Sequence, residues 1–390
     1  MPKFILSSIA LSVSQGGPAA HSHEPIQPWR DTLNPMLLIE NQPLAPLTTF
    51  GVGGLARWFV EAATEPEIEE AVAWSCERGI DLFVLGGGSN LLVSDAGFDG
   101  LVLKIALPDI DLSPAEGQTQ TLRAGAGVPW DDCVNRAIAA NYAGIECLAG
   151  IPGTVGGTPV QNVGAYGQEV SSVIDRVRAF DRHERAFVEL TASECGFSYR
   201  RSRFNTHDRN RFIVTRVDYR LIRDGPATIR YADLERALAA SHPQGPEPTL
   251  EQVAAAVRRV RQGKGMLLVD GDPDCRSAGS FFKNPIVTEE LFQKVAARSV
   301  APPRFPAGPG DENANRVKIP AAWLIEHAGF ARGFALGNAG ISSKHTLALI
   351  NRGGATAAEI LALADRIRAA VAAKFGVRLE MEPEKVGFTS

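Results

Sequence analysis

The chain has 390 residues, of which 45% are hydrophobic and 22% charged, and its formal net charge is −4. These values are typical of a globular protein with two or three domains. A general nucleic-acid-binding protein would carry a basic patch, and no apolar run approaches the length of a membrane span. We therefore expect neither a nucleic-acid partner nor membrane insertion.

The cysteines are widely separated and form no C-x-x-C pair or zinc-type spacing with histidine. They are Cys76, Cys133, Cys147, Cys195 and Cys275. An odd, scattered set is typical of a reducing compartment and predicts neither a disulfide framework nor a metal site. We expect each cysteine to be a small core residue and the protein to be cytoplasmic.

The first 35 residues are predicted to be a disordered leader. The stretch "MPKFILSSIALSV" has the short apolar run of a secretion signal, but serines interrupt it and it carries a single lysine. The following "SQGGPAAHSHEPIQPW" has the composition of a disordered segment. We expect the folded part to begin near Met36.

Strand and helix patterns alternate along the next part of the chain. A capped helix is predicted at residues 64–79, because Thr64 and Glu67 form a capping box and Gly79 stands at the C-terminal cap. The buried strand "IDLFVL" leads directly into "GGGSN", and a strand at "LVLKI" precedes a helix at "WDDCVNRAIAANY". This alternation favours an α/β or α+β sheet with helical cover.

Glycines are dense at residues 144–167, where tight turns are expected because glycine is costly in helices and strands. The alternation in "RFIVTRVDYRL" predicts a strand. Residues 241–248 are rich in proline and glycine and are predicted to be a connector. The segment "TLEQVAAAVRRVR" is predicted to be a helix. A third region begins near Lys264, with helices at "TEELFQKVAAR", "PAAWLIEHAG" and 356–374, a strand at "TLALIN" and a surface loop at 302–316.

The two glycine-rich segments carry the strongest chemical signal. In "VLGGGSNLL", backbone amides at a strand end can hold a phosphate. The segment is not a P-loop, and the third glycine of G-x-G-x-x-G would fall on Leu91, so a plain tight turn would explain it equally well. The second run adds many bare amides and few acidic groups, which suits a pyrophosphate held by backbone donors. Together they predict a bound dinucleotide.

A hydrolase is disfavoured. Ser280 lies in A-G-S-F-F rather than in the nucleophile elbow G-x-S-x-G. From the residues alone, its hydroxyl is a polar group among apolar neighbours that needs hydrogen-bond partners. The histidines show no motif context, so nothing supports a Ser–His–Asp triad.

Six motifs together resemble one enzyme family. They are "TTFGVGG", "LGGGSNLL", "IPGTVGGTPVQNVGAYGQE", "FSYRRSRF", "AGSFFKNP" and "KFGVRLEMEPE". Their order and spacing are similar to those of the UDP-N-acetylenolpyruvoylglucosamine reductases, flavoproteins that make the peptidoglycan precursor UDP-N-acetylmuramate. The resemblance covers about residues 44–388, apart from the loop at 302–316.

The resemblance implies an α+β architecture in three parts. Two of them, at residues 36–106 (completed by 376–390) and 107–245, would form an FAD-binding fold of the p-cresol methylhydroxylase and vanillyl-alcohol oxidase type. The third, a smaller α/β substrate-binding domain at residues 262–375, would close over the substrate.

The resemblance also implies FAD as cofactor and NADPH as reductant. Many relatives in the wider fold attach flavin covalently through a histidine, and the glycine loops here contain none, so we expect non-covalent FAD. The residues expected to bind it are Gly86, Gly87, Gly88, Ser89, Asn90, Pro152, Gly153, Gly157, Thr158, Gln161, Asn162, Gly164 and Tyr166.

Three catalytic residues follow from the resemblance. NADPH would reduce FAD and leave, and hydride would then add to the methylene carbon of the enolpyruvyl substrate. Arg200 matches the arginine that binds the substrate carboxylate, and its planar guanidinium suits this task. Glu382 matches the acidic residue that stabilises the enol-like intermediate, which we expect it to do in its protonated form. Ser280 matches the hydroxyl that delivers the proton.

Four further residues match substrate-binding positions: Tyr231, Arg261, Lys264 and Asn284. Tyr231 matches the tyrosine of a loop that covers the substrate in one of the family's two forms, so the chain is expected to have the tyrosine-loop form. Lys264 is our candidate for the neighbour that tunes Ser280.

Two of these assignments have a close competitor. Glu380 would share a strand face with Glu382 and could take its role, and Arg201 adjoins Arg200, although in a strand the two would face oppositely. We expect a monomer that binds small molecules. The competing hypotheses are another FAD-dependent oxidoreductase of the same fold and a nucleotide-binding regulatory protein without turnover.

Overall fold

A computed structural model of the protein describes residues 36–114, 116–241, 247–298, 300–307 and 314–388. The predicted leader at residues 1–35 lies outside these ranges, as do residues 242–246 of the predicted connector and 308–313 of the predicted surface loop. Among the described helices, none combines the length and the apolar character that a membrane span would need.

The described residues form seven α-helices and twenty strands, besides short 3-10 turns. The helices are α1 (Glu65–Glu77), α2 (Trp130–Ala139), α3 (Ala232–Ser241), α4 (Leu250–Gly263), α5 (Glu289–Ala296), α6 (Ala321–His327) and α7 (Ala357–Phe375). The strands of the first half are β1 (Ile39–Pro43), β2 (Leu55–Ala62), β3 (Leu82–Leu85), β4 (Leu91–Val93), β5 (Phe98–Ile105), β6 (Ile110–Pro114), β7 (Thr119–Gly125), β8 (Tyr142–Ala143), β9 (Gly164–Ala165) and β10 (Gln168–Glu169). Those of the second half are β11 (Ile174–Asp181), β12 (Ala186–Thr191), β13 (Phe212–Arg223), β14 (Ile286–Thr288), β15 (Phe305–Pro306), β16 (Arg316–Lys318), β17 (Ala335–Leu336), β18 (Ala339–Ile341), β19 (Leu349–Asn351) and β20 (Glu384–Val386).

The first part of the fold is a four-stranded sheet in the order β1-β2-β5-β3. Strands β2, β5 and β3 run parallel, and α1 connects β2 to β3. The C-terminal end of the chain returns to this part, where β20 pairs in parallel with β4. This return places residues 380–384 beside the glycine loop that follows β3.

The second part is an antiparallel sheet in the order β12-β11-β13-β7-β6, with β8 also on β13. Trp130 of α2 and Tyr219 of β13 are almost completely buried and lie 5.6 Å apart between ring centroids. The third part contains two three-stranded sheets, β14-β16-β15 and β17-β18-β19, with α5, α6 and α7. Its core is formed around Phe281, Phe282 and Phe375.

Local sequence signals are confirmed where they predict helix ends. Thr64 and Glu67 form the predicted capping box of α1, and Thr356 and Glu359 form that of α7. Gly376 ends α7 in the left-handed conformation, with φ of 69°. Such caps depend on residues within one turn, which is why they can be predicted from the sequence.

Asn351 at the end of β19 fixes the third part to the first. Its side-chain amide donates hydrogen bonds to the carbonyls of Phe50 (3.0 Å) and Gly51 (3.3 Å). Its side-chain oxygen accepts from the amides of Gly353 (2.9 Å) and Ala355 (3.0 Å). The residue is only 4% exposed, so water cannot replace these four bonds.

We expect Asn351→Ala to lower the free energy of unfolding by about 2–3 kcal/mol, because it leaves buried backbone groups without partners. Urea unfolding of both proteins measures the difference. The exposed Asn338, whose amide donates to Gly354 at 3.3 Å, provides the matched control Asn338→Ala. A loss for Asn351→Ala no greater than for the control would contradict the role of Asn351.

Candidate active site

A cavity of about 570 Å³ lies between the first two parts of the fold and the C-terminal return. The loop after β3 and the glycine run after α2 form facing walls, and residues 381–385 close one side. A cavity of this size lies within the range of small-molecule sites. The glycine loops, which carried the strongest chemical signal of the sequence, therefore line the same space.

The two glycine loops approach each other too closely for side chains. A Cβ atom on Gly87 would lie 2.5 Å from the Cα atom of Gly153, and one on Gly88 would lie 1.9 Å from the carbonyl oxygen of Leu47. Gly88 also has a φ of +63°. In contrast, a Cβ atom on Gly157 would meet nothing within 4 Å. Bare backbone thus forms both the contact between the loops and part of the cavity wall.

Several hydrogen-bond donors in this cavity wall have no acceptor among the described residues. Within the described residues, no group accepts a hydrogen bond from the backbone amides of residues 86–90, and the buried hydroxyl of Thr154 has no partner. Buried polar groups in proteins are nearly always paired. A row of free amides beside an unpaired hydroxyl fits an acceptor-rich group such as the pyrophosphate of FAD. When bound, FAD would supply hydride transfer at this site.

Most of the predicted cofactor residues line the cavity. These are Gly86, Gly87, Gly88, Ser89, Asn90, Pro152, Gly153, Gly157, Thr158 and Gln161. Three predicted residues, Asn162, Gly164 and Tyr166, are not part of its lining. The side chain of Asn162 instead donates hydrogen bonds to Glu169 (3.1 Å) and to the carbonyl of Ser198 (3.1 Å), and it accepts one from the amide of Ser171 (3.1 Å). It therefore stabilises the loop without lining the cavity.

Arg200 and Glu382 meet at the cavity wall. The Nε atom of Arg200 lies 3.0 Å from Oε1 of Glu382, and the two side chains are 20% and 15% exposed. The Arg200 guanidinium also donates to the carbonyl of Gly164 at 2.7 Å. Arg200 occupies a tight turn with φ of 56° rather than a strand, and within that turn Arg201 is exposed. The structure therefore places Arg200 and Arg201 in different environments, as a strand would have done, but the cause is a turn.

Glu382 is fixed by the Ser280 motif. The amide of Glu382 donates to the carbonyl of Phe281 at 2.9 Å, and that of Lys283 donates to the carbonyl of Glu380 at 3.0 Å. Burial raises the pKa of the Glu382 carboxyl, although Arg200 and Lys283 act in the opposite direction. The Glu380 side chain is 78% exposed and lies 3.7 Å from Lys283, so of the two glutamates only Glu382 lines the cavity.

Ser280 immediately precedes Phe281, the residue whose carbonyl accepts the amide of Glu382. It is partly buried, and its hydroxyl has no hydrogen-bond partner among the described residues. The next residue, Phe281, is completely buried, and its amide donates to the carbonyl of Leu347 at 2.8 Å. The hydroxyl is thus unpaired while the backbone beside it is held firmly, although Ser280 itself is not part of the cavity lining.

Lys264 and Tyr231 belong to a second polar cluster. The Nζ atom of Lys264 lies 2.6 Å from Oδ2 of Asp233 and 5.9 Å from the ring centroid of Tyr231. Tyr231 is 43% exposed and packs edge-on against Tyr166 at 5.6 Å. Arg261 is 8% exposed, and its guanidinium donates to the carbonyls of Gly150 and Met266, at 3.0 and 2.6 Å.

His345 faces the same cluster. Burial, together with the positive charges of Lys264 and Arg332, lowers the pKa of His345 to about 4, whereas Asp233 acts in the opposite direction. The side chain is therefore neutral near pH 7. No motif in the sequence marked His345 or Asp233.

This lowered pKa predicts a loss of stability in acid. As the pH falls from 6.5 towards 4, the unfolded chain takes up a proton at His345 that the folded protein excludes. Between pH 7 and pH 5, the free energy of unfolding should fall by about 2 kcal/mol more for the wild type than for His345→Gln, because glutamine does not titrate. Urea unfolding at the two pH values measures this difference. Equal pH dependence of the two proteins would contradict it.

Asn284 lies in a polar group around Tyr199. Its side-chain oxygen accepts from the amide of Ala321 at 2.9 Å, and Asn284 is also hydrogen-bonded to Tyr199. The Nζ atom of Lys318 lies 4.6 Å from the Tyr199 ring centroid, and burial lowers the pKa of this lysine. Neither Tyr199 nor Lys318 had been predicted as a site residue, although Tyr199 adjoins Arg200 in the quoted "FSYRRS".

Polar residues also line the cavity beside the sheet of the second part. Arg182, Arg209 and Asn210 contribute to its wall, and Arg182 donates to the carbonyl of Asn210 at 2.8 Å. Arg209 is paired with Glu384 of the C-terminal return at 2.6 Å. Isolated arginines in a loop carry no sequence motif, so the sequence did not single them out.

Comparisons with known proteins agree with this geometry. An FAD binding domain model matches residues 56–185, and a model described as "UDP-N-acetylenolpyruvoylglucosamine reductase, C-terminal domain" matches residues 272–386. The reductase of Streptomyces coelicolor is 48% identical over 365 residues, covering 91% of this chain and 92% of the relative. That of Thermobifida fusca is 45% identical over 357 residues, covering 90% and 98%. The crystal structure of the Thermus caldophilus reductase matches with a TM-score of 0.61 at 28% identity, covering 90% of this chain and 98% of that one.

The fold and the cavity define a flavoprotein, an FAD-dependent oxidoreductase, and the predicted α+β fold with its FAD-binding fold is confirmed. Two independent features point to this class: the match over residues 56–185 and the unpaired amides at the cavity wall. Within the class, the chain belongs to the family of UDP-N-acetylenolpyruvoylglucosamine reductases.

Proposed function

We propose that the protein uses FAD and NADPH to reduce UDP-N-acetylglucosamine enolpyruvate to UDP-N-acetylmuramate, a step of peptidoglycan precursor synthesis. Membership of the reductase family supports the reaction. The observation that carries the proposal is the Arg200–Glu382 pair, 3.0 Å apart, at the wall of the glycine-lined cavity. An oxidase acting on an unrelated substrate would not need this pair beside the Ser280 motif.

The three catalytic residues have distinct roles in the proposal. Addition of hydride to the methylene carbon of the substrate places negative charge on the adjacent carbon and its carboxylate. Arg200 binds this carboxylate and stabilises the charge, because a guanidinium holds two oxygens at once. Glu382, with its raised pKa, stabilises the enol-like form in its protonated state. Ser280 gives its proton to the adjacent carbon.

The second cluster suits the diphosphate end of the substrate. Lys264 and Arg261 provide positive charge, and Tyr231, which is 43% exposed, has its ring centroid 5.9 Å from the Nζ atom of Lys264. We assign the chain to the tyrosine-loop form because Tyr231 matches the tyrosine of the loop that covers the substrate in that form. Asn284, fixed between Tyr199 and the amide of Ala321, would contact the substrate near the carboxylate.

The remaining assignments extend the same proposal. FAD is bound without a covalent link through ten residues of the two glycine loops that line the cavity. We place the monomeric enzyme in the cytoplasm and in a process that determines cell shape and division. The division into FAD-binding parts at residues 36–106 and 107–245 and a substrate domain at residues 262–375 also stays a proposal.

The spectrum and the turnover of the purified protein test this function. Its visible spectrum should show flavin, and NADPH oxidation should depend on the enolpyruvyl sugar nucleotide. A colourless protein that cannot be reconstituted with FAD would contradict the proposal. Flavin-containing protein whose NADPH consumption ignores the sugar nucleotide would favour another FAD-dependent oxidoreductase instead.

A further inference from the structure

The segment "TTFGVGG" at residues 48–54 has no catalytic or ligand-binding role in the proposal above, yet it contacts both the cofactor loop and the loop that carries Ser280. The amide of Thr49 donates to the carbonyl of Gly88 at 3.1 Å, within the glycine loop. The hydroxyl of Thr49 lies 2.6 Å from the carbonyl of Ser277 and 3.3 Å from that of Ser89. One residue thus ties the loop that lines the cofactor cavity to the loop that carries Ser280.

The Ser280 loop is held on both sides by neighbouring residues of this segment. On its N-terminal side, the carbonyl of Ser277 accepts the Thr49 hydroxyl. On its C-terminal side, the buried ring of Phe50 packs edge-on against Phe281, with centroids 6.0 Å apart. Between these anchors, Gly279 turns the chain with φ of 69°. The free hydroxyl of Ser280 therefore depends on Thr49 and Phe50 for its position.

We propose that Thr49 is a positioning residue for the reaction, which holds the Ser280 loop at a fixed distance from the cofactor loop. The proposal rests on the proposed role of Ser280 as proton donor. Proton delivery needs the donor within hydrogen-bond reach of the carbon that receives it, so a small displacement of the loop reduces the rate. Binding of FAD and its reduction by NADPH do not involve Ser280 and should depend much less on Thr49.

The adjacent threonine shows that the geometry is specific. The hydroxyl of Thr48 lies 3.1 Å from the carbonyl of Ala45 and 3.4 Å from that of Val52, both within its own turn. Of these two threonines, only Thr49 has a hydroxyl that reaches two distant loops, 40 and 228 residues away along the chain. Thr48→Val is therefore a matched control that removes a similar hydroxyl without breaking the link between the loops.

The test compares Thr49→Val, Thr49→Ser and Thr48→Val as FAD-loaded proteins. For Thr49→Val, reoxidation of the reduced flavin by the sugar nucleotide should slow about tenfold or more, while reduction by NADPH stays within about twofold of the wild type. Without substrate, hydrogen exchange of the amides at residues 277–282 should be about fivefold faster, because one hydrogen bond of the loop is lost. Thr49→Ser, which keeps the hydroxyl, should restore both values.

Several outcomes would overturn the proposal: unchanged reoxidation in Thr49→Val, no rescue by serine, an equal effect of Thr48→Val, or equal slowing of both half-reactions. If Thr49→Val does not fold, Thr49→Cys, whose thiol is a weak donor, provides the same comparison. Failure of the proposed function would look different. Wild-type flavin would then not be reoxidised by the sugar nucleotide, whereas the exchange rates would still report whether Thr49 holds the loop.

Discussion

Replacing Ser280 with alanine should leave the reduction of flavin by NADPH intact and slow its reoxidation by the sugar nucleotide by roughly 10²–10⁴-fold or more. The reason is that only the second half-reaction needs a proton at the substrate carbon. The Ser280 hydroxyl has no bond to break within the described residues, and Phe281 beside it is held by Leu347. The substitution should therefore remove the proposed proton donor without moving the loop.

Stopped-flow measurements of the two half-reactions separate these effects. Ser193→Ala, which changes an exposed serine in the second part of the fold, is the control and should react as the wild type does. Equal slowing of both half-reactions in Ser280→Ala would mean that the serine supports the flavin site rather than delivering a proton. Unchanged reoxidation would remove Ser280 from the mechanism.

The second large effect is expected at Arg200. Arg200→Lys keeps the charge but loses the planar fork, so it cannot hold Glu382, the carbonyl of Gly164 and a substrate carboxylate together. Loss of this stabilisation of the developing charge should lower kcat/KM for the sugar nucleotide by roughly 10²–10³-fold. Reduction by NADPH should change far less.

Arg201→Lys is the matched control for this change. It alters the adjacent arginine, which is exposed, and should leave kcat/KM for the sugar nucleotide near the wild-type value. A larger effect at position 201 than at position 200 would show that the two arginines have been assigned in the wrong order. A similar loss in the NADPH half-reaction of Arg200→Lys would indicate a damaged flavin site.

Features that depend on near neighbours could be predicted from the sequence. The capping boxes at Thr64 and Thr356 and the turn at Gly376 involve residues within about one helical turn, and all three are confirmed. The alternating pattern of β13 was predicted for the same reason. Helix α3 was not predicted, since its residues follow the tyrosine without an obvious cap.

Contacts between distant segments could not be predicted without the family resemblance. The bonds from Asn351 to Phe50 and Gly51 join residues about 300 positions apart, and no local pattern encodes them. The same holds for the pairing of Lys264 with Asp233, because the sequence analysis had instead proposed Lys264 as the neighbour that tunes Ser280. The choice between Glu380 and Glu382 likewise depends on how residues 380–382 pair with residues 281–283.

The pairing of β20 with β4 has a consequence for how the protein is made. The side of the cavity that contains Glu382 consists of residues near the C-terminus, although the opposing glycine loops are translated early. A ribosome that has completed the first two sheets has therefore produced a flavin site with one side missing. Chains that terminate before residue 382 would lack both this wall and the proposed catalytic carboxyl.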